Sequence, residues 1–228
     1  MMDHARDLAS VHDATERLLS AVTALDGPAV TEASRLPGWT RGHVLAHLAR
    51  NADALVEVLQ GRPMYASADA READIERDAP RSLATQLADV RDSAARFQTA
   101  AAAPQDWSRT LELRNGVKDA AARVPFRRWA EVELHHVDLG IGYELEDLPG
   151  EFTEREIGFL ADRFAGHPDV PHTRVTDSAR AWGTGRAGDR PEVTVTGAAP
   201  ELLGWLAGRR AGSGLDVSGG PLPTLPPL

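Results

Sequence analysis

Apolar residues in the first 140 positions recur with a helical period, and beyond Leu148-Pro149-Gly150 that period gives way to short alternating runs. A periodic apolar stripe must be buried against another element, so it sets the secondary structure and demands packing partners at once. Leu8, Val11, Leu18, Val22 and Leu25 form the first stripe, closed by Asp26-Gly27-Pro28. Thr40 is a good N-cap for a second helix that stops at Gly61 and carries Val44, Leu48, Leu55 and Leu59 on one side. The polar stretch from Arg62 to Pro80, broken by Pro63, reads as a loop with one short helix. A third helix follows with Leu83, Leu87, Val90, Ala94 and Phe97 in step. Thr110 to Leu113 and then Asn115-Gly116 predict a short hairpin. A fourth helix starts near Pro125, a favoured first-turn residue, and runs to Leu139 before Gly140. Four helices with connections of unequal length predict an up-down four-helix bundle over residues 1–148.

Residues 149–228 predict a smaller α+β domain. A helix over Thr153 to Phe164 precedes strand-like runs at Thr173 to Val175, Ala179 to Trp182 and Glu192 to Thr196. A short helix from Pro200 to Leu206 and a last strand at Leu215-Asp216-Val217 complete it. The tail from Pro221 carries four prolines and is expected to lie over the surface. The fold class is therefore two-domain: a helical bundle, then a small α+β unit.

Composition narrows the chemistry. Hydrophobic residues are 42% and charged residues 26% of the 228, which excludes a disordered chain. The formal charge of −9 argues against nucleic acid or an anionic membrane as partner. No run approaches the ~18 apolar residues of a membrane span, and MMDHARDLAS lacks a signal-peptide core, so a cytoplasmic protein is expected. A monomer is expected. The chain contains no cysteine. Disulfides, thiolate metal sites and cysteine nucleophiles are excluded, and any thiol chemistry needs a thiol from a small molecule.

The fourth helix contains Glu131-Val132-Glu133-Leu134-His135-His136. Glu131 and His135 are one turn apart, on a face flanked by Leu134 and by Val132 with Leu139, so both are expected to look inward. There a carboxylate oxygen and an imidazole nitrogen suit a divalent metal, although a pair at this spacing also often forms only a helix-surface hydrogen bond or ion pair. Glu133 and His136 point elsewhere on this wheel, and His136 is expected at the surface. His4, His12, His167 and His172 show no partner pattern. The second helix offers His43 and His47. His47 lies about 60° from the Val44–Leu55 stripe, and His43 is suited to capping the turn near Trp39 or to a place behind the ligands. A His₂Glu set leaves a coordination position open, as in catalytic rather than structural zinc.

Leu36-Pro37-Gly38-Trp39-Thr40-Arg41-Gly42-His43-Val44-Leu45-Ala46-His47-Leu48-Ala49-Arg50-Asn51-Ala52 closely resembles the N-terminal signature of mycothiol-dependent maleylpyruvate isomerases. Pro63-Met64-Tyr65 is similar to a further element of that family. Glu131 to Gly140 resembles its second metal motif, and Trp205-Leu206-Ala207-Gly208-Arg209 its C-terminal arginine motif. The resemblance implies a DinB-like metal-binding bundle followed by a domain of the sterol-carrier-protein (SCP2-like) type. It implies zinc on His47, Glu131 and His135, so it chooses His47 over His43. It implies a functional role for Arg209, which from the residues alone reads as a solvated surface member of the Arg209-Arg210 pair. The implied role is a planar guanidinium that reaches across the domain interface and holds a substrate carboxylate. Asn51, one turn after His47, and Tyr65, in the loop before the third helix, are candidates for substrate binding or for packing.

The reaction implied is cis–trans isomerisation of maleylpyruvate to fumarylpyruvate with mycothiol as cofactor and a small anionic electrophile as substrate. Addition of a thiolate to the conjugated alkene allows rotation, and its expulsion restores the alkene in the trans form. Zinc would lower the thiol pKa. A mycothiol S-transferase on the same scaffold shares the first half of that reaction. A non-catalytic small-ligand-binding protein is the alternative of another class.

Overall fold

A computed structural model describes residues 3–227. The chain divides into two compact units, one ending at Tyr143 and one starting at Glu144. The described residues form seven α-helices and two sheets.

The first unit is mostly helical. Helix α1 is His4–Thr23, α2 Arg41–Leu59, α3 Ala68–Asp78, α4 Leu83–Ala102 and α5 Val124–Asp138. Each start has a local cause. The Asp3 carboxylate accepts from the Arg6 amide at 3.1 Å. Thr40 and His43 close a reciprocal box, the threonine hydroxyl accepting from the His43 amide and His43 Nδ1 accepting from the Thr40 amide at 3.1 Å. His43 is thus a capping residue of α2, one of the two roles its sequence position suggested. Ser67 caps α3 and Ser82 caps α4. Pro125 stands in the first turn of α5.

Helices α1 and α2 each pack on both α4 and α5, while α3 lies on α2. Val44, Leu48, Leu55 and Leu59 are all buried, as are Val90, Ala94 and Phe97, so the helical stripes of the sequence are the core. The stretch read as a loop with one short helix holds α3, eleven residues long. Strands β1 (Thr110–Glu112) and β2 (Lys118–Ala120) pair antiparallel across a turn in which Asn115 and Gly116 take φ of 59° and 71°. Positive φ at two successive positions is what Asn-Gly supplies at least strain.

The second unit contains α6 (Gly150–Phe164), α7 (Ala199–Leu206) and a four-stranded sheet. The strands β3 (Thr173–Thr176), β4 (Ala181–Thr184), β5 (Val193–Thr196) and β6 (Asp216–Ser218) lie in the order β4-β3-β5-β6. β3 and β5 run parallel, with Val175 beside Val195, and the outer pairs are antiparallel. Helix α6 packs on α7 and β4. The sequence placed the boundary after residue 148. The short turn Leu145–Asp147 packs on α7, and this draws those residues into the second unit. No helix among the described residues is long and apolar enough to cross a membrane.

Candidate metal centre

Helix α2 contributes His47, and α5 contributes Glu131 and His135 one turn apart. His47 Nε2 lies 2.9 Å from Glu131 Oε2, and His135 Nε2 lies 3.3 Å from the same oxygen. One donor atom from each residue falls within 4.8 Å of the others. The two imidazoles meet edge to face with centroids 4.6 Å apart. Nitrogen and oxygen donors bind zinc at roughly 2.0–2.2 Å, so donors around one ion stand about 3.3 Å apart, close to the spacing found here. The residues therefore fit a divalent ion with two imidazoles, one carboxylate and an open position.

The surroundings orient these donors. His135 Nδ1 donates to Asp138 Oδ2 at 2.8 Å, and Asp138 is fully buried. That bond holds the proton on Nδ1 and turns the Nε2 lone pair toward the cluster. On His47, Arg71 Nη2 donates to Nδ1 at 3.1 Å. An arginine can only donate, so Nδ1 accepts and the His47 proton sits on Nε2, facing Glu131. With Nε2 as the ligand atom, the proton would belong on Nδ1, the nitrogen that faces Arg71. The Trp39 ring lies beside His47, with centroids 5.6 Å apart.

Electrostatics follow from burial and this bonding. Burial brings the His47 imidazole down to about 4; the hydrogen bond to Glu131 opposes this, and His135 and Arg71 reinforce it. His47 is thus neutral at any ordinary pH. Burial also pushes His135 down, but its bonds to Asp138 and Glu131 outweigh it and leave it raised. For Glu131, burial pushes the carboxyl up, yet the bonds from His135 and His47 prevail and hold it well below the usual range.

The other candidates lie as follows. Asn51 is buried, and its Oδ1 accepts from Arg128 Nη1 at 2.8 Å. Arg128 Nη1 also donates to the Leu48 carbonyl at 2.9 Å. Asn51 thus holds an arginine that belongs to the face of α5 bearing Glu131. Tyr65 is half-buried; its ring centroid is 5.9 Å from the Arg71 guanidinium carbon. It lies near enough to Glu131 and Arg114 to feel their charges. Arg209 belongs to the second unit. It follows Gly208, whose φ of 69° closes α7, and the Arg209 and Arg210 amides both donate to the Gly204 carbonyl. The adjacent arginines differ: Arg210 forks onto Glu146 with two 2.8 Å contacts and also meets Glu201, whereas Arg209 Nη1 donates to the Ala207 carbonyl at 2.7 Å.

One expectation from the helical wheel needs correction: His136 is buried, at 3% exposure, and not at the surface. Glu133, expected only to point away from the cluster, is buried as well at 1%. The face opposite the metal cluster is covered too: His136 stacks on Tyr143 at 4.0 Å. Glu133 accepts from Trp129 Nε1, Tyr143 and Arg17. A wheel drawn for one buried face fails on a helix walled on two sides. The reading also missed Asp138, Arg71 and Arg128. Asp138 carries a signal, three residues after His135 and on its face; Arg128 stands three before Glu131. Arg71 carries none, because its place depends on how α3 folds back on α2.

The family model described as the mycothiol maleylpyruvate isomerase N-terminal domain matches residues 11–140, more than half the chain. Two similar solved structures are crystal structures of the mycothiol-dependent maleylpyruvate isomerase and of a histidine-to-alanine mutant of it. Each aligns with a TM-score of 0.88 at 24% identity, covering 99% of this chain and 97% of the other, which shows a common fold. No curated protein matches the sequence. With its cluster on α2 and α5 inside the matched region, the chain belongs to the mycothiol-dependent maleylpyruvate isomerase family.

Proposed function

We propose that this protein is a metal- and thiol-dependent cis–trans isomerase acting on maleylpyruvate or a close analogue, with mycothiol as its thiol. The observation that carries the reading is the inward His47–Glu131–His135 set in a chain with no cysteine. We assign the ion as zinc, held by those three side chains. When bound, the ion lowers the pKa of the thiol, and the thiol supplies the nucleophile that makes the substrate double bond rotatable.

The protein's own groups prepare that chemistry. His47 is neutral through burial, Glu131 is ionised, and Asp138 keeps the His135 lone pair on the open side. Arg71, beside His47 Nδ1, would offer a buried donor to the anion that forms as the alkene gains charge. Arg209 binds a substrate carboxylate with its planar fork. Asn51 acts by holding Arg128, and Tyr65 lines the approach. In this reading the first unit is a DinB-like up-down bundle and the second a domain of the sterol-carrier type. The shared overall fold supports that assignment.

Incubation of the metal-loaded protein with maleylpyruvate, with and without mycothiol, tests the function by product analysis. Fumarylpyruvate formed only when the thiol is present is the expected result. A stable thioether as the sole product would assign a transferase instead, and full turnover without thiol would reject the thiol mechanism.

A further inference from the structure

An open groove of about 580 Å³ lies in the first unit between the loop after α2 and the β1–β2 hairpin. That volume is within the range of small-ligand sites, about 300–1,000 Å³. The loop side presents Arg62, Tyr65 and Ser67, and the hairpin side presents Glu112, Arg114 and Asn115. Among the described residues, the side chains of Glu112, Arg114 and Asn115 make no hydrogen bond or ion pair with another side chain. Arg62 is already forked onto Glu57. A carboxylate, an amide and a guanidinium together form a mixed donor and acceptor set. Such a set binds hydroxyl groups. A dianion would meet Glu112 and find one arginine neutralised.

Two side chains relate the groove to the His47–Glu131–His135 cluster. Tyr65 forms part of its wall, lies against Arg71, and Arg71 Nη2 is 3.1 Å from His47 Nδ1. Mycothiol carries its thiol on an acetylated cysteine joined to two polyhydroxylated rings and is neutral apart from the sulfur. We propose that the groove between the 61–68 loop and the β1–β2 hairpin seats those hydroxylated rings, so that the sulfur extends past Tyr65 to the metal cluster. The assignment rests on the reading of the protein as mycothiol-dependent. It gives the hairpin, which provides no metal ligand, a function in cofactor selection: the groove distinguishes mycothiol from a simple thiol of the same reactivity.

Calorimetric titration of the full-length, metal-loaded protein with mycothiol and with N-acetylcysteine separates the two claims. In wild type, mycothiol should bind at least about tenfold more tightly, because only it fills the groove. A Glu112→Gln, Arg114→Ala variant changes exposed positions and leaves the Asn-Gly turn intact. It should weaken mycothiol by about tenfold, with N-acetylcysteine affinity and metal content unchanged. Asn115→Gly, which keeps the positive φ, should weaken mycothiol in the same direction. Equal mycothiol affinity in wild type and variants, or no preference for mycothiol over N-acetylcysteine, would overturn the groove assignment while leaving thiol dependence standing. Failure of wild type to bind either thiol would overturn thiol dependence and the groove with it.

Discussion

At the scale of single residues, the site depends on which nitrogen carries which proton. Substitution His47→Ala removes one of three donors and should abolish stoichiometric metal retention after dialysis, measured by elemental analysis. Equal metal content in both proteins would remove His47 from the ligand set. His135 is the donor over which proton and metal compete, since its pKa is raised while that of His47 is depressed to about 4. A protonated imidazole must lose its proton to ligate. Metal affinity should therefore be flat above the His135 pKa and fall about tenfold per unit as pH drops below it. Asp138→Asn withdraws the charge that holds that proton. It should move the falling limb to lower pH and weaken binding roughly 10- to 100-fold above it, as read by competition with a chelating indicator. Glu131 and His135 were legible in the sequence because one helical turn separates them. Asp138 was within reach of the same logic, whereas Arg71 was not: three-dimensional folding alone puts α3 beside His47.

At the scale of elements, helix periodicity carried most of the information. The four long helices are where their apolar stripes put them, and the Asn115-Gly116 turn is where its two residues tolerate positive φ. The stretch between α2 and α4 was less legible, because α3 has a mostly polar surface and buries few residues: Arg71, Ile75 and Asp78. Its docking relies on a close approach that composition does not reveal. A Cβ on Gly42 would overlap the Ala79 carbonyl oxygen. Gln86 Nε2 donates to the Asp78 carbonyl at 2.8 Å and to the Ala79 and Gly42 carbonyls at 3.2 and 3.3 Å, tying α2, α3 and α4 together. Gly42→Ala should destabilise the protein by about 1–3 kcal/mol, a Tm drop of roughly 3–10 °C for a chain of this size. The control Gly150→Ala, where a Cβ meets nothing within 4 Å, should leave Tm near wild type. Equal thermal stability of the two variants would show that α3 does not depend on this contact.

At the scale of the whole molecule, the candidate metal donors belong to one unit and Arg209 to the other. The adjacent Arg210 is committed to Glu146 and Glu201. Arg209→Ala should keep metal content and Tm while lowering kcat/KM by about 30- to 1,000-fold, equivalent to ~2–4 kcal/mol of charge-assisted contact. Arg209→Lys should recover only part, since a point charge lacks the fork. Wild-type kinetics in Arg209→Ala would confine the chemistry to the first unit. The sequence showed the second unit's strands through alternation, but not that Leu145–Asp147 would join it, because that depends on packing against α7. The central claim is that a thiol from outside the chain binds at the His47–Glu131–His135 ion. Cobalt(II)-substituted protein tests it most directly, because a thiolate on cobalt gives a near-ultraviolet charge-transfer band. Addition of mycothiol should produce that band in the wild type and not in His47→Ala, whereas a wild-type spectrum unchanged by saturating thiol would contradict the account.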